Sequence, residues 1–213
     1  MALNTYNDLI SAVGNWLERS DLTSRVPDFI ALAEAQTNRL LRVRQMEARA
    51  TAVLDAGEEY FAFPLDFIAE KSVSISDGTC SWDLDPQPFE VLETATPATG
   101  TPTHYAIVGD SFHVHPTPDR MFTTRLVYYS KIPPLGPDQQ TNWLLREAPD
   151  AYLYGALTHA APYLEDDTGT SNTFAALYSA AISGIKAAQR TRVGKLTLDQ
   201  VTEGRSFNII KGS

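Results

Sequence analysis

Residues 24–52 carry the longest uninterrupted helical pattern in the chain. Apolar side chains recur there at spacings of three and four, the pattern of one buried helix face: Val26, Phe29, Ile30, Ala33, Leu40 and Leu41. Ser24 suits the N-cap, and Pro27 falls in the first turn, where its missing N–H matters least. Four arginines collect toward the other end: Arg39, Arg42, Arg44 and Arg49. The pattern therefore predicts one long helix with a basic C-terminal end, for which a solvated helix face is the simplest interpretation.

Further helical patterns lie on both sides of this segment. Residues 5–19 form a first amphipathic pattern, and Thr5 with Asp8 resembles a capping box in which Asp replaces the usual Glu. Helical patterns return near the C-terminal end, at residues 142–146, 150–163 and 172–192. Helices joined by short connectors pack against one another, so these segments predict a helical bundle.

Between the helical segments, alternating and aromatic runs bounded by turns predict strands. Residues 103–108 and 111–115 flank Gly109-Asp110, a tight-hairpin sequence, and residues 122–131 alternate over a long strand. We expect one helical turn at residues 65–68. The predicted fold class is α+β and mainly helical: a discontinuous helical bundle with an inserted small antiparallel β region and an extended C-terminal arm. The predicted domains are residues 1–52 with 140–192 (bundle), 53–139 (β region) and 193–213 (arm).

The net charge of −9 is concentrated in one part of the chain. Residues 51–100 carry acids at ten positions against Lys71 alone, whereas acids and bases cancel in residues 1–50. An acidic surface repels a phosphate backbone, which argues against ordinary nucleic-acid binding by this part. Solubility is the simplest explanation of such a surface.

Cysteine content and hydropathy narrow the class of protein. Cys80 is the single cysteine and cannot form an internal disulfide, which is typical of a reducing compartment. The N-terminus lacks a charged region followed by an apolar run, and no stretch approaches the roughly 18 apolar residues of a membrane span. We expect a soluble protein made in a cytoplasm.

Candidates for catalysis or metal binding are few. His113 and His115 alternate along one predicted strand, with His104 on its neighbour and Asp110 in the turn, an arrangement that could ligate a metal. A second ligand-bearing segment is lacking, and His-x-His on a sheet is more often ordinary surface. The chain has no phosphate-binding glycine loop, nucleophile elbow or zinc-protease motif. We therefore predict no metal, no cofactor and no enzyme.

The chain ends in a segment without a core-sized apolar face. The segment nevertheless holds large apolar residues that a free, solvated tail would not need: Phe207, Ile209 and Ile210. Such a segment often orders on a partner, and docking on the chain's own domain is an equal alternative.

Several runs resemble the head-to-tail adaptor (connector) proteins of tailed bacteriophages. The opening pattern is Tyr6-x-x-Leu9-Ile10-x-x-Val13-x-x-Trp16-Leu17-x-Arg19-x-Asp21-Leu22, followed by Pro27-x-Phe29-Ile30-x-Leu32-Ala33-Glu34-Ala35 and Arg39-Leu40-Leu41-Arg42. Later runs are Tyr105-x-Ile107-x-Gly109-Asp110, Pro116-Thr117-Pro118-Asp119 and Leu126-Val127-Tyr128-Tyr129. The resemblance covers most of the chain to about residue 190.

The resemblance implies a structural virion protein that forms a ring, typically of twelve copies, between the portal protein and the next neck or tail protein. An acidic lumen would let double-stranded DNA pass without specific binding. The residues expected to line the channel are Glu58, Glu59, Asp83 and Asp85. Portal contacts are expected from the arm, at Leu198, Val201, Arg205, Phe207, Ile209 and Ile210. Contacts between subunits are expected at Arg39, Arg42, Arg44 and Arg49.

Three alternatives remain open from the sequence. A tail-completion or tail-terminator protein would have a β-dominated core and assemble as a hexamer. A cell-wall-degrading neck enzyme would need an acid, for which Glu34 or Glu47 could serve. A helical binding module unrelated to phage would be a stable monomer.

Overall fold

The computed structural model describes residues 3–18, 21–163 and 168–193. In these ranges the chain forms six α-helices. They are α1 (Tyr6–Leu17), α2 (Val26–Leu40), α3 (Phe89–Glu93), α4 (Trp143–Glu147), α5 (Pro149–Ala160) and α6 (Thr168–Val193). Short 3-10 turns occupy Thr23–Arg25, Arg44–Met46 and Ala161–Tyr163.

Ten strands form three sheets within the described ranges. They are β1 (Glu47–Leu54), β2 (Tyr60–Ala62), β3 (Phe67–Ser76), β4 (Ser81–Asp83), β5 (Asp85–Pro86), β6 (Thr99–Gly100), β7 (His104–Val108), β8 (Ser111–His115), β9 (Thr117–Pro118) and β10 (Phe122–Ser130). The first sheet is antiparallel with the order β1-β10-β3-β4. The second has the order β2-β8-β7-β5, and β6 pairs with β9 alone.

The larger of two hydrophobic cores, which we call the helical layer, is built by α1, α2, α4, α5 and α6. The helix α5 lies at its centre, in contact with α1, α2, α4 and α6. At Gly155 of α5 the packing is tightest, because a Cβ placed there would lie 3.0 Å from the Cβ of Ala33 and 3.2 Å from the ring of Tyr178. Glycine thus lets α2 and α6 approach α5 closely.

The smaller core, the β layer, joins the two four-stranded sheets. Its buried side chains come from both sheets, including Leu54, Ile75 and Phe122 of the first and Phe112 and Val114 of the second. Ring contacts link them further, with the Phe67 and Phe112 centroids 5.8 Å apart. This part of the chain therefore buries its own apolar surface.

The prediction of a mainly helical fold with a small β region is wrong, although the α+β class is reasonable. Ten strands and a separate core make the β layer a major part of the molecule. The sequence patterns did not indicate the full size of the β layer, and the reason is physical. Several strands are only two or three residues long, and pairing between distant segments holds them in place rather than a local periodic pattern.

The prediction that residues 24–52 form one helix is also wrong. The helix α2 ends at Leu40, and β1 begins at Glu47. The N-cap position is Arg25, without a side-chain cap, rather than Ser24. Apolar side chains after α2 are buried at alternate positions, Leu41 and Val43, which is a strand-like period. Alanines at positions 48, 50 and 52 favour helix locally, but β1 pairs along its whole length with β10.

Other local predictions have mixed outcomes. The capping box of α1 is confirmed, since the Thr5 hydroxyl accepts from the Asp8 N–H and the Asp8 carboxylate accepts from the Thr5 N–H. The hairpin of β7 and β8 is confirmed, with Gly109 at a φ of 60°. The helical turn expected at residues 65–68 is wrong, because β3 begins at Phe67.

Two glycine substitutions test the packing of the helical layer. Gly155→Ala should lower the free energy of unfolding by about 1–3 kcal/mol, because its Cβ meets α2 and α6. The matched control is Gly184→Ala in α6, where an added Cβ meets nothing within 4 Å, and it should stabilise by about 0.4–1 kcal/mol. Denaturant unfolding measures both values, and equal effects at the two positions would contradict this account of the packing.

Candidate functional site

The four arginines expected at subunit contacts lie along the segment that leaves the helical layer. Arg39 is in the last turn of α2, Arg42 follows it, Arg44 is in a 3-10 turn and Arg49 is on β1. All four are exposed. Arg42 donates to the Asn38 carbonyl at 2.7 Å, and none of the four forms an ion pair with a described acidic residue. The arginines are thus spread along the segment from α2 to β1 instead of lying at one helix end, and all four side chains are exposed.

The four acids expected to line a channel lie on three edge segments of the β layer. Glu58 and Glu59 precede β2, at one edge of the second sheet, and Asp85 lies on β5, at the opposite edge. Asp83 lies on β4, an edge strand of the first sheet. Glu58, Asp83 and Asp85 are exposed, and Glu59 is half-buried. The structure therefore does not bring the four carboxylates together into one cluster.

Glu59 also lines a polar pocket of about 250 Å³ around His113. Its carboxylate accepts from the Thr117 hydroxyl and lies 3.6 Å from His113 Nε2. His113 is 7% exposed, and its ring contacts the rings of Tyr60 and Phe89. These contacts identify His113 as an interior side chain of the β layer.

The other candidate metal ligands have separate partners. His104 Nδ1 lies 2.8 Å from the Thr103 hydroxyl, and His115 stands opposite His104 in the register of β7 and β8. Asp110 lies in the hairpin turn. Among the described residues, no three His, Cys, Asp or Glu side chains are grouped so that they could hold a metal ion.

Glu34, one candidate acid for a lytic enzyme, lies inside the helical layer. Its Oε1 accepts from the Leu135 N–H at 2.8 Å and from the Tyr152 hydroxyl at 2.9 Å. Burial raises the pKa of the Glu34 carboxyl, and the two hydrogen bonds partly offset that rise. Only 7% of the residue is exposed. The other candidate, Glu47, pairs with Lys71 Nζ at 2.6 Å at the surface of the first sheet. The surroundings of both residues indicate structural roles.

A groove of about 530 Å³ lies between α6 and the junction of α4 and α5, and the sequence interpretation missed it. The apolar side chains that line it include Trp143, Tyr154, Leu177, Ala181 and Ile185. Small residues at positions 180, 181, 184 and 188 recur at helical spacing along α6, and this was the available signal. The arm residues assigned to portal contact, 198–210, lie outside the described residues.

Comparison with protein families gives a match over nearly the whole chain. The family model described as SU10 adaptor protein matches residues 4–199. The chain belongs to the SU10 adaptor protein family. This is a phage head-to-tail adaptor-like family, so the resemblance stated above is confirmed at that level. No curated protein matches the chain.

Membership of the SU10 adaptor family supports a structural role in the phage virion and interaction with other phage head and tail proteins. Such a family is not typically enzymatic. No helix in the described ranges is long and apolar enough to span a bilayer.

The burial of Glu34 leads to a prediction about how the free energy of unfolding depends on pH. Its folded-state pKa is raised, so the folded state holds a proton that the unfolded state releases, and stability falls as pH rises from the unfolded pKa through the folded one. Glu34→Gln keeps an Oε1 acceptor but does not titrate. The difference in free energy of unfolding, variant minus wild type, should therefore increase with pH from about 4 upward. Denaturant unfolding between pH 4 and pH 8 measures this, and parallel pH curves would contradict it.

Proposed function

We propose that this SU10 adaptor forms a ring of about twelve copies between the portal protein and the next neck or tail protein. The ring continues the DNA channel and completes the head. The observation that carries this proposal is the family match over residues 4–199, together with four exposed arginines on the segment from α2 to β1 and exposed acids on edge segments of the β layer. Such an uneven subunit suits a head-to-tail ring, in which unlike surfaces of neighbouring copies meet.

The β layer supplies the channel surface in this proposal. Residues 51–100 hold the whole charge imbalance of the chain, and Glu58, Asp83 and Asp85 are exposed on edge segments. In a ring the two edges of neighbouring copies alternate, so acids at both edges, Glu59 included, give a continuous negative band. DNA then passes without adhering, because the phosphates are repelled.

The segment from the end of α2 into β1, together with the arm, supplies the protein contacts. Arg39, Arg42, Arg44 and Arg49 are exposed without a described acidic partner, so their charges are available to a neighbouring copy. The arm reaches the portal through six residues: Leu198, Val201, Arg205, Phe207, Ile209 and Ile210. Each contact can be modest, since a ring repeats it and gains avidity. Synthesis takes place in the host cytoplasm before incorporation into the virion neck.

A tail-completion role is less well supported. It predicts a β-dominated core, whereas the larger core of this chain is helical.

Truncation tests the role of the arm. A chain that ends at Gly194 should still fold and unfold cooperatively, because the two described cores lie before that position. It should no longer co-purify with the portal protein, since the arm residues are gone. Unchanged affinity for the portal, measured by co-purification or interferometry, would overturn the arm assignment.

Charge reversal tests the channel assignment. Reversal of Glu58, Asp83 and Asp85 to lysine should permit ring assembly but slow genome ejection, because DNA would adhere to the lumen. The control replaces the same residues with Gln, Asn and Asn, and an intermediate rate is expected. Ejection is followed by release of dye-stained DNA. A normal rate in the lysine variant would mean that these residues do not line the channel.

A further inference from the structure

The groove between α6 and the α4–α5 junction is open along one face of α6. Leu177 is 38% exposed, and an added Cβ at Gly184 would meet nothing within 4 Å. The apolar walls are formed by Trp143 and Tyr154 on one side and Ile185 on the other. An uncovered apolar groove of this size suits an apolar segment of chain.

The groove runs toward the point where the described chain ends. Its lining extends along α6 from Leu177 to Gln189, and α6 ends at Val193. At a rise of 1.5 Å per residue this part of α6 is about 18 Å long, so roughly six residues of extended chain would cover it. The sequence continues for twenty residues after Val193, first with Gly194, which favours a reversal of direction after a helix.

The composition of that continuation matches the groove. Apolar residues recur in it: Leu196, Leu198, Val201, Phe207, Ile209 and Ile210. The groove is apolar along its walls, apart from the carboxylates of Glu147 and Asp150. The segment 195–210 carries two cations, Lys195 and Arg205, and two acids, Asp199 and Glu203, so it is net neutral and its match to the groove lies in hydrophobicity.

Covalent connection favours the chain's own segment over any free partner. A segment joined to α6 by a few residues has an effective concentration in the millimolar range, so a contact with a dissociation constant of about 0.1 mM would be about 90% occupied. A second copy at micromolar concentration would leave the same contact almost empty.

We propose that, in the unassembled subunit, the groove holds residues 195–210 of the same chain. Docking shelters the apolar arm before assembly. In a second step the arm leaves the groove and binds the portal. Only this second step rests on the proposed function. The groove is then an intramolecular seat for the segment that the portal later binds.

Limited trypsin digestion of the full-length protein tests this proposal through the rate of cleavage after Arg205. If docking and release are fast compared with cleavage, only the undocked arm is cut. The cleavage rate is then lower than that of a free arm by about the ratio of the docked population to the undocked population. Gly184→Phe fills the groove and should speed cleavage about tenfold. The matched control is Ser183→Phe, whose position is exposed on α6 and does not line the groove, and it should cleave at the wild-type rate.

A second variant pair protects the test against misfolding of Gly184→Phe. Leu198→Asp with Phe207→Asp changes only the arm and should speed cleavage to the same extent. Equal rates in wild type and all groove and arm variants would overturn the proposal. Slowing that increases with protein concentration would assign the groove to the arm of a second copy and would also overturn it. If either of these results is obtained but the wild-type protein still binds the portal, the docking proposal fails while the proposed function stands.

Discussion

A buried hydrogen-bond network holds the two halves of the helical layer together. Tyr152 on α5 donates to Glu34 on α2 at 2.9 Å and accepts from the Asn142 side chain at 2.6 Å. Asn142 also caps α4 and donates to the Pro133 carbonyl. The Leu135 N–H donates to the same Glu34 oxygen. The network therefore fixes the segment that returns from β10 to the helices, and a buried network of this kind is stable only when its members are satisfied.

The rest of the architecture depends on that return. The chain leaves the helical layer after α2, builds the β layer and comes back through residues 131–142. Asn38 at the end of α2 accepts from the Ile132 N–H at 2.9 Å, so the exit and the return are joined at one place. The chain therefore enters the β layer through β1 and leaves it through β10. These two strands are neighbours and pair along the whole of β1. This arrangement separates the exposed acids of the β layer from the surface of α6.

Features that are local in sequence could be predicted. The capping box at Thr5 and Asp8 and the hairpin at Gly109 each depend on a few adjacent residues, and the sequence interpretation found both. The segment after Leu40 could not be predicted from local signals. Its alanines and arginines favour a helix, but pairing with β10, whose residues lie at least 68 positions away in the chain, makes residues 47–54 a strand. The burial of Glu34 and His113 is equally nonlocal, since their partners come from distant segments.

The residues proposed for function can be named from the sequence, but their grouping in the fold could not be predicted. The four acids expected to line a channel fall into two groups in the sequence, Glu58 with Glu59 and Asp83 with Asp85, yet the strand order of the second sheet places Glu59 and Asp85 at opposite edges. The arginines were expected on one helix, but only Arg39 lies on α2. The groove on α6 also needs side chains of α4 and α5 on its other wall, and the spacing of small residues along α6 alone does not indicate these.

The most direct measurement is cryo-EM of the protein co-expressed with its cognate portal protein. The account predicts a closed ring of about twelve copies on the portal, with residues beyond 194 ordered against it and the acids of the β layer facing the lumen. A bare portal beside a compact monomer would contradict the central claim, and so would a ring whose lumen is formed by the helical layer.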